Sequence, residues 1–192
     1  RRNLLTPAER TSLLAFPATD DEFIQHYTFS ESDLSVIRQR RGSHNRLGFA
    51  VQLCYLRYPG FALPTDAEPP AFLLNIVSRQ LRIEPDVWPQ YAQRPETRRE
   101  HLMELQAWLK LTPFAVADYR RFVHQLAELA QQTDRGIVLA EALVELLRQQ
   151  RIILPTVDVI ERLCGEALTR GTRQVYEALT APLSDFHRRL LN

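Results

Sequence analysis

Lysine is almost missing from this chain: of the 24 Lys and Arg in 192 residues, only Lys110 is a lysine. Cysteine occurs twice, at Cys54 and Cys164, too few and too far apart for a disulfide scaffold or a zinc knuckle. Both sit in apolar surroundings and read as buried thiols of a reduced, cytoplasmic protein. The six glycines are scattered, so neither a phosphate-binding loop nor a dinucleotide fingerprint is present. No window approaches the ~20 consecutive apolar residues of a membrane span. Arg1-Arg2-Asn3 is not expected to open a secretory signal, and no membrane partner is expected. Alternating strand patterns and a nucleophile elbow are also lacking. Secreted, membrane, disordered and disulfide-stapled classes are thereby excluded, and the length suits a sizeable core in one or two units of about 100–150 residues.

What is present is a local surplus of arginine. Formal charge is only +1, yet from Leu34 to Thr65 there is no Asp or Glu, while Arg38, Arg40, Arg41, Arg46 and Arg57 fall in that window. Residues 1–65 carry a balance of +2 and residues 66–192 one of −1. An acid-free basic window in a near-neutral chain reads as a local anion-binding face. Arginine offers a planar fork matched to phosphates and guanine edges, although a GC-rich genome also raises arginine content without any functional cause.

Helical signals run nearly throughout, so the expected class is all-α. Thr6-Pro7-Ala8-Glu9 and Thr19-Asp20-Asp21-Glu22 are capping boxes, and Ser30 is placed to cap a third helix, with Asp33 favourable near its N-terminal dipole. The spacing predicts a helix Glu31–Arg41, a turn Gly42-Ser43-His44-Asn45, and a helix Arg46–Tyr58 with Leu47, Ala50/Val51 and Cys54 on one buried face. Pro59-Gly60 ends it, and the proline-rich stretch to Pro70 reads as a linker or an ordered crossing loop. Further helices are expected at Ala71–Leu81, around Trp88, at Pro95–Leu109, from Thr112-Pro113 towards Gln132, at Ile137–Arg151, and from Pro155-Thr156 to Thr169. Gly171-Thr172 is expected to open another, and Ser184 to cap a last short one. A loose echo at a 53-residue offset relates Arg46, Phe49, Leu56-Arg57 and Phe61 to Arg99, Leu102, Leu109-Lys110 and Phe114. The expected organisation is a first helix-turn-helix-like module at 1–62, a second helical DNA-binding module at 63–112, and a helical bundle at 113–192.

In a helix-turn-helix the second helix enters the major groove and its leading residues reach base edges. Here those would be His44, Asn45 and Arg46, with Gln52 next along the exposed side. Asn and Gln pair bidentately with adenine, and Arg with guanine. Arg38, Arg40 and Arg41 lie where a phosphate strand would pass, and Arg57 stands near the linker. A solvated basic helix end, favoured by the helix dipole, explains the same cluster without DNA. In the second stretch Arg94, Thr97, Arg98, Arg99 and His101 surround the head of the Pro95–Leu109 helix, but Glu96, Glu100 and Glu104 interleave as ordinary surface partners. His101/Glu104 and His124/Glu128 have ligand-like spacing without a second pair, so no metal site is expected. Trp88, Trp108, Phe114 and Phe122 read as core. The chain by itself reads as non-enzymatic.

The run from Arg38-Gln39-Arg40-Arg41-Gly42-Ser43-His44-Asn45-Arg46 through Leu47-Gly48-Phe49-Ala50-Val51-Gln52-Leu53-Cys54-Tyr55-Leu56-Arg57-Tyr58-Pro59-Gly60 closely resembles a signature near the N-terminus of the Tn-three family of replicative transposases. Leu4-Leu5-Thr6 to Glu9-Arg10, Thr97-Arg98-Arg99-Glu100-His101-Leu102, Ile153-Leu154-Pro155 and Ala181-Pro182-Leu183-Ser184 fit the same region in order. Ser43 departs from the Asp that relatives often carry. The resemblance implies a non-catalytic N-terminal fragment that recognises the terminal inverted repeats of a transposon. Its partners would be double-stranded DNA and the remainder of the transposase chain, with a homodimer in the full complex and nucleoid association when bound. It also implies that the Mg²⁺-dependent Asp-Asp-Glu site lies in a distant domain, leaving no cofactor in this stretch. The alternative is an α-helical interaction module, centred on 113–192. Truncation near Pro113 is expected to separate the two roles.

Overall fold

The computed structural model describes residues 4–64, 67–91, 93 and 95–181, and its elements are helical. In chain order these are α1 (Pro7–Leu13), α2 (Asp20–Tyr27), α3 (Glu31–Arg38), α4 (Ser43–Arg57), α5 (Ala71–Leu81), a 3-10 helix (Pro85–Gln90), α6 (Pro95–Leu109), α7 (Val116–Leu129), α8 (Gly136–Gln149) and α9 (Val157–Thr180). All-α is the fold class. Among the described residues no helix is long and apolar enough to cross a membrane. The expected cap at Ser184 lies outside the described residues.

The three sequence-predicted starts are real capping boxes. Thr6, Thr19 and Ser30 each accept the N–H three residues on, while Glu9, Glu22 and Asp33 reach back to the cap N–H. Each satisfies donors that a helix start otherwise leaves orphaned. α5 and α6 match their expected spans, and α8 begins one residue before the expected Ile137. α7 starts at Val116 rather than at Thr112-Pro113, with Asp118 taking the Ala115 N–H. The break expected at Gly171 does not occur, because α9 runs unbroken through it. That glycine permits close packing: a Cβ there would lie 2.8 Å from the Ala127 carbonyl oxygen on α7.

The chain forms two compact units. Among the described residues one comprises 4–14, 114–150 and 155–181, with α7 and α8 packed on α9 and α1 against α8. Phe122, Leu126, Leu139, Leu143, Ile160, Leu163 and Cys164 are fully or almost fully buried there. Glu161 closes this unit on α1, accepting from the Leu5 N–H at 2.9 Å and from Arg10, which also pairs with Asp158.

The other unit comprises 15–113 and 151–154. α4 is its axis, with every residue from Leu47 to Leu56 buried. Helices α2, α3, α5, the 3-10 helix and α6 all pack on it. The stretches expected as two separate modules thus share one hydrophobic core, which also takes in Ile153. Residues 151–154 are stitched in by backbone bonds: Thr112 N–H to Arg151 O, Ile153 N–H to Thr112 O and Leu154 N–H to Gly60 O, each 2.9 Å. The proline-rich stretch is accordingly an ordered crossing where it is described, with Leu63 buried and Phe61 against Tyr55.

Candidate nucleic-acid interface

The turn between α3 and α4 lies earlier than the sequence spacing suggests. α3 stops at Arg38, and Gln39-Arg40-Arg41-Gly42 make the connection, with Gly42 at φ +80 as the N-cap of α4. An L side chain is strained at that φ, which accounts for glycine there. Ser43, His44 and Asn45 are therefore the first helical residues rather than the turn. Unlike α1, α2 and α3, α4 starts with no side-chain cap and no acid in its first turn. Its exposed N–H groups and dipole favour an anion.

The thirteen residues singled out from the sequence occupy unlike surroundings. Arg41 and Arg99 are exposed, and among the described residues neither side chain has a hydrogen bond or ion pair. Arg38 is also outward, in a loose 3.9 Å surface pair with Glu31. Arg46 is exposed, and its Nε donates to the Arg40 carbonyl at 3.0 Å. Asn45 Nδ2 donates to the Arg41 carbonyl at 3.0 Å. Both bonds fasten the head of α4 to the turn while leaving the guanidinium tip of Arg46 outward. His44 is half-buried beside Gly42.

Four other arginine positions divide differently. Arg40 is committed inward: its side chain is 16% exposed, pairs with Glu104 of α6 and lies 4.9 Å over the Phe49 ring. Arg57 is spent on Asp33, a carboxylate only 3% exposed. Burial raises the Asp33 pKa, but hydrogen bonds from Arg57 and Ser30 outweigh that and hold it below the usual carboxylate value. This fixes α4 to α3 and removes Arg57 from the surface expected near the linker. Arg98 donates to the Pro64 carbonyl at 2.9 Å and lies over the Tyr91 ring. Arg94 lies outside the described residues.

Gln52 and His101 are interior, not exposed. Gln52 is 4% and His101 6% exposed, and they meet at the buried Tyr91 hydroxyl. Gln52 Nε2 donates to that oxygen at 2.5 Å, and the hydroxyl lies 3.1 Å from His101 Nδ1. Because the phenol accepts from Gln52, its own proton is directed to an unprotonated Nδ1. Burial and the neighbouring Arg40 cation push the His101 pKa down to about 4, consistent with a neutral ring. The Tyr91 ring seats directly on α4 at Gly48, where a Cβ would lie 2.1 Å from Cδ2. Thr97 is half-buried in the first turn of α6. Trp108 is 43% exposed, against its expected place in the core, whereas Phe122 is buried.

Tyr91 carried no signal in the sequence, and Glu104 read there as an ordinary surface partner, not as the carboxylate that holds Arg40. Tyr91 is 39 residues from Gln52, and Glu104 is 64 from Arg40, separations that no helical period spans. Among the described residues, no three or more His, Cys, Asp or Glu are grouped to hold a metal ion. What remains is an all-α unit presenting arginines and an uncapped helix start at one turn, with the interior polar groups consumed in support of it.

Comparison with known proteins identifies a family for the chain. Residues 4–167 match the family described as Domain of unknown function (DUF4158). The whole chain is 57% identical to the transposase for transposon Tn3926 of Escherichia coli and 53% identical to the transposase for transposon Tn501 of Pseudomonas aeruginosa. It is 54% identical to the transposase for transposon Tn21 of Escherichia coli. In each case it spans 19% of the relative's length. The chain belongs to this DUF4158 family, and it matches the N-terminal region of Tn-three family transposases.

Proposed function

We propose that these residues bind the terminal inverted repeats of a transposon as double-stranded DNA, within a larger transposase whose remaining length supplies the strand chemistry. The observation that carries the reading is the stretch 38–46, where Arg38, Arg41 and Arg46 are exposed around an uncapped helix start inside an acid-free window. Arg38 and Arg41 neutralise phosphates, and His44, Asn45 and Arg46 stand nearest the bases. Arg99 is a secondary phosphate contact, limited by Glu96 and Glu100 on the same helix. Gln52 and His101 serve the interior, and Arg57 and Arg98 are held by Asp33 and the Pro64 carbonyl, not by the groove.

The test is binding of the 192-residue chain to a labelled duplex carrying the transposon end and to a scrambled duplex, across a salt series. Tighter binding to the end is expected, with affinity falling as salt rises by a slope of about −0.9 per phosphate engaged. Equal affinity for the two duplexes overturns specific recognition. A flat salt dependence overturns phosphate engagement.

A second reading, a scaffold that docks other parts of the transposase, fits the α1/α7/α8/α9 unit. Several of its charges pair within the unit, Arg10 with Asp158 and Glu161, Arg121 with Asp118, and Arg173 with Glu177, while Tyr119 donates to Glu166. The two roles are compatible in one chain.

A further inference from the structure

We propose that Arg40 is a positioning residue for the DNA-contacting turn and not one of its phosphate ligands; this rests on the DNA-binding reading given above. Its sequence neighbours Arg38 and Arg41 are exposed, but Arg40 is held inward through both terminal nitrogens, with its Nε buried and making no hydrogen bond. Nη1 pairs with Glu104 on α6, Nη2 donates to Gln39 Oε1 at 3.3 Å, and the guanidinium plane covers Phe49 of α4. The Arg40 carbonyl receives Arg46 Nε. Phe49 in turn meets His101 of α6 edge-on, with ring centroids 5.2 Å apart. One side chain thus joins the turn, α4 and α6, and its own peptide unit holds the base of Arg46.

Moving that guanidinium to a phosphate would break the Glu104 pair, uncover Phe49 and shift the carbonyl that anchors Arg46. A planar fork held at a carboxylate and over an aromatic face is a fixed geometry that Lys does not reproduce. Arg40 therefore acts on the bases through Arg46 and Asn45, whose bonds end on the carbonyls of Arg40 and Arg41. Its loss should lower discrimination while leaving the number of phosphates engaged unchanged.

The experiment uses the whole 192-residue chain with Arg40→Gln, Glu104→Gln, the double variant, the milder Arg40→Lys, and Arg41→Gln for comparison. Three quantities are read: the affinity ratio of transposon end to scrambled duplex, the slope of log affinity against log salt, and amide hydrogen exchange over residues 39–46. R40Q and E104Q should each cut the ratio about tenfold with an unchanged slope, as expected for a displaced base-reading group. The double variant should be no worse than either single one, and R40K should fall between wild type and R40Q. R41Q should reduce the slope by about 0.9. A slope reduced in R40Q as in R41Q, together with tighter binding by E104Q, would overturn the proposal and make Arg40 a phosphate ligand masked by Glu104. If the wild type binds no DNA, the functional reading fails and exchange alone decides. Faster exchange of the turn amides in both R40Q and E104Q, with the core unchanged, upholds positioning; unaltered rates overturn it.

Discussion

Replacing Gly48 with Ala adds one methyl group, and the structure says where it goes. The new Cβ would lie 2.1 Å from the Tyr91 ring, a distance no carbon pair tolerates. The ring has little room to withdraw, because Tyr91 is 6% exposed and its hydroxyl is held by Gln52 and His101. Overpacking costs about 1–3 kcal/mol, detaching a buried hydroxyl from its partners adds about 1–3, and the better helix propensity of Ala returns about 1. A net loss near 3 kcal/mol follows from those ranges, and it falls on one unit. Both tryptophans, Trp88 and Trp108, belong to that unit, so urea unfolding followed by tryptophan fluorescence reads it selectively. Repeating G48A in a Tyr91→Ala background supplies the refutation. With the ring gone, the same methyl should be neutral or stabilising by about 1 kcal/mol. An equal loss in both backgrounds would show that contact with Tyr91 is not the cause.

Stability of the same unit should fall on acidification as His101 is forced to charge. Its folded pKa is depressed to about 4 against an ordinary 6.5, so the unfolded chain binds more protons between those values. The contribution is complete above pH 6.5 and declines towards pH 4 by at most about 1.4 kcal/mol per pH unit, a slope that His101→Gln should remove from urea midpoints. Asp33, held low by Arg57 and Ser30, stabilises above the ordinary carboxylate pKa and gives this up as pH falls through its lower folded value. Asp33→Ala strands Arg57 and removes the carboxylate half of the α3 capping box, for an expected loss of about 2–4 kcal/mol by urea titration. Ile153→Ala should cost about 2–4 kcal/mol in the tryptophan-reported transition, and a change confined to far-ultraviolet dichroism would contradict its place in that core.

Local chemistry was legible in the chain. Each capping box is a four-residue pattern whose donors and acceptors all lie within one turn, and all three form. The proline-bounded helices α5 and α6 were equally readable. Long-range partners were not. Gln52 was expected on an exposed face because Leu47, Ala50/Val51 and Cys54 suggest a single apolar stripe, yet α4 is surrounded and its other side is buried too. The compact residues Gly48 and Ala50 within that run were the available hint, since a helix enclosed on all sides needs room for its neighbours. Gly171 misled for the opposite reason: glycine reads as a break, but here it clears space for α7 inside a continuous helix. At the arginine cluster the residue types were evident, whereas the division into outward Arg38, Arg41 and Arg46 and inward Arg40 and Arg57 depends on Glu104 and Asp33.

The short stitch at 151–154 decides how the arginine-bearing unit can be obtained at all. Its backbone completes bonds to Thr112 and Gly60, and Ile153 fills the core, although α7 and α8 intervene in the chain. A fragment ending near Pro113 would be born with that seam open, and its silence in a binding assay would report an unfinished core instead of an idle α4. During synthesis, likewise, the unit must wait for Leu154 to emerge before it can close. The arginine turn is thereby tied to completion of the chain as far as Leu154, and a cut near Pro113 does not release its unit whole.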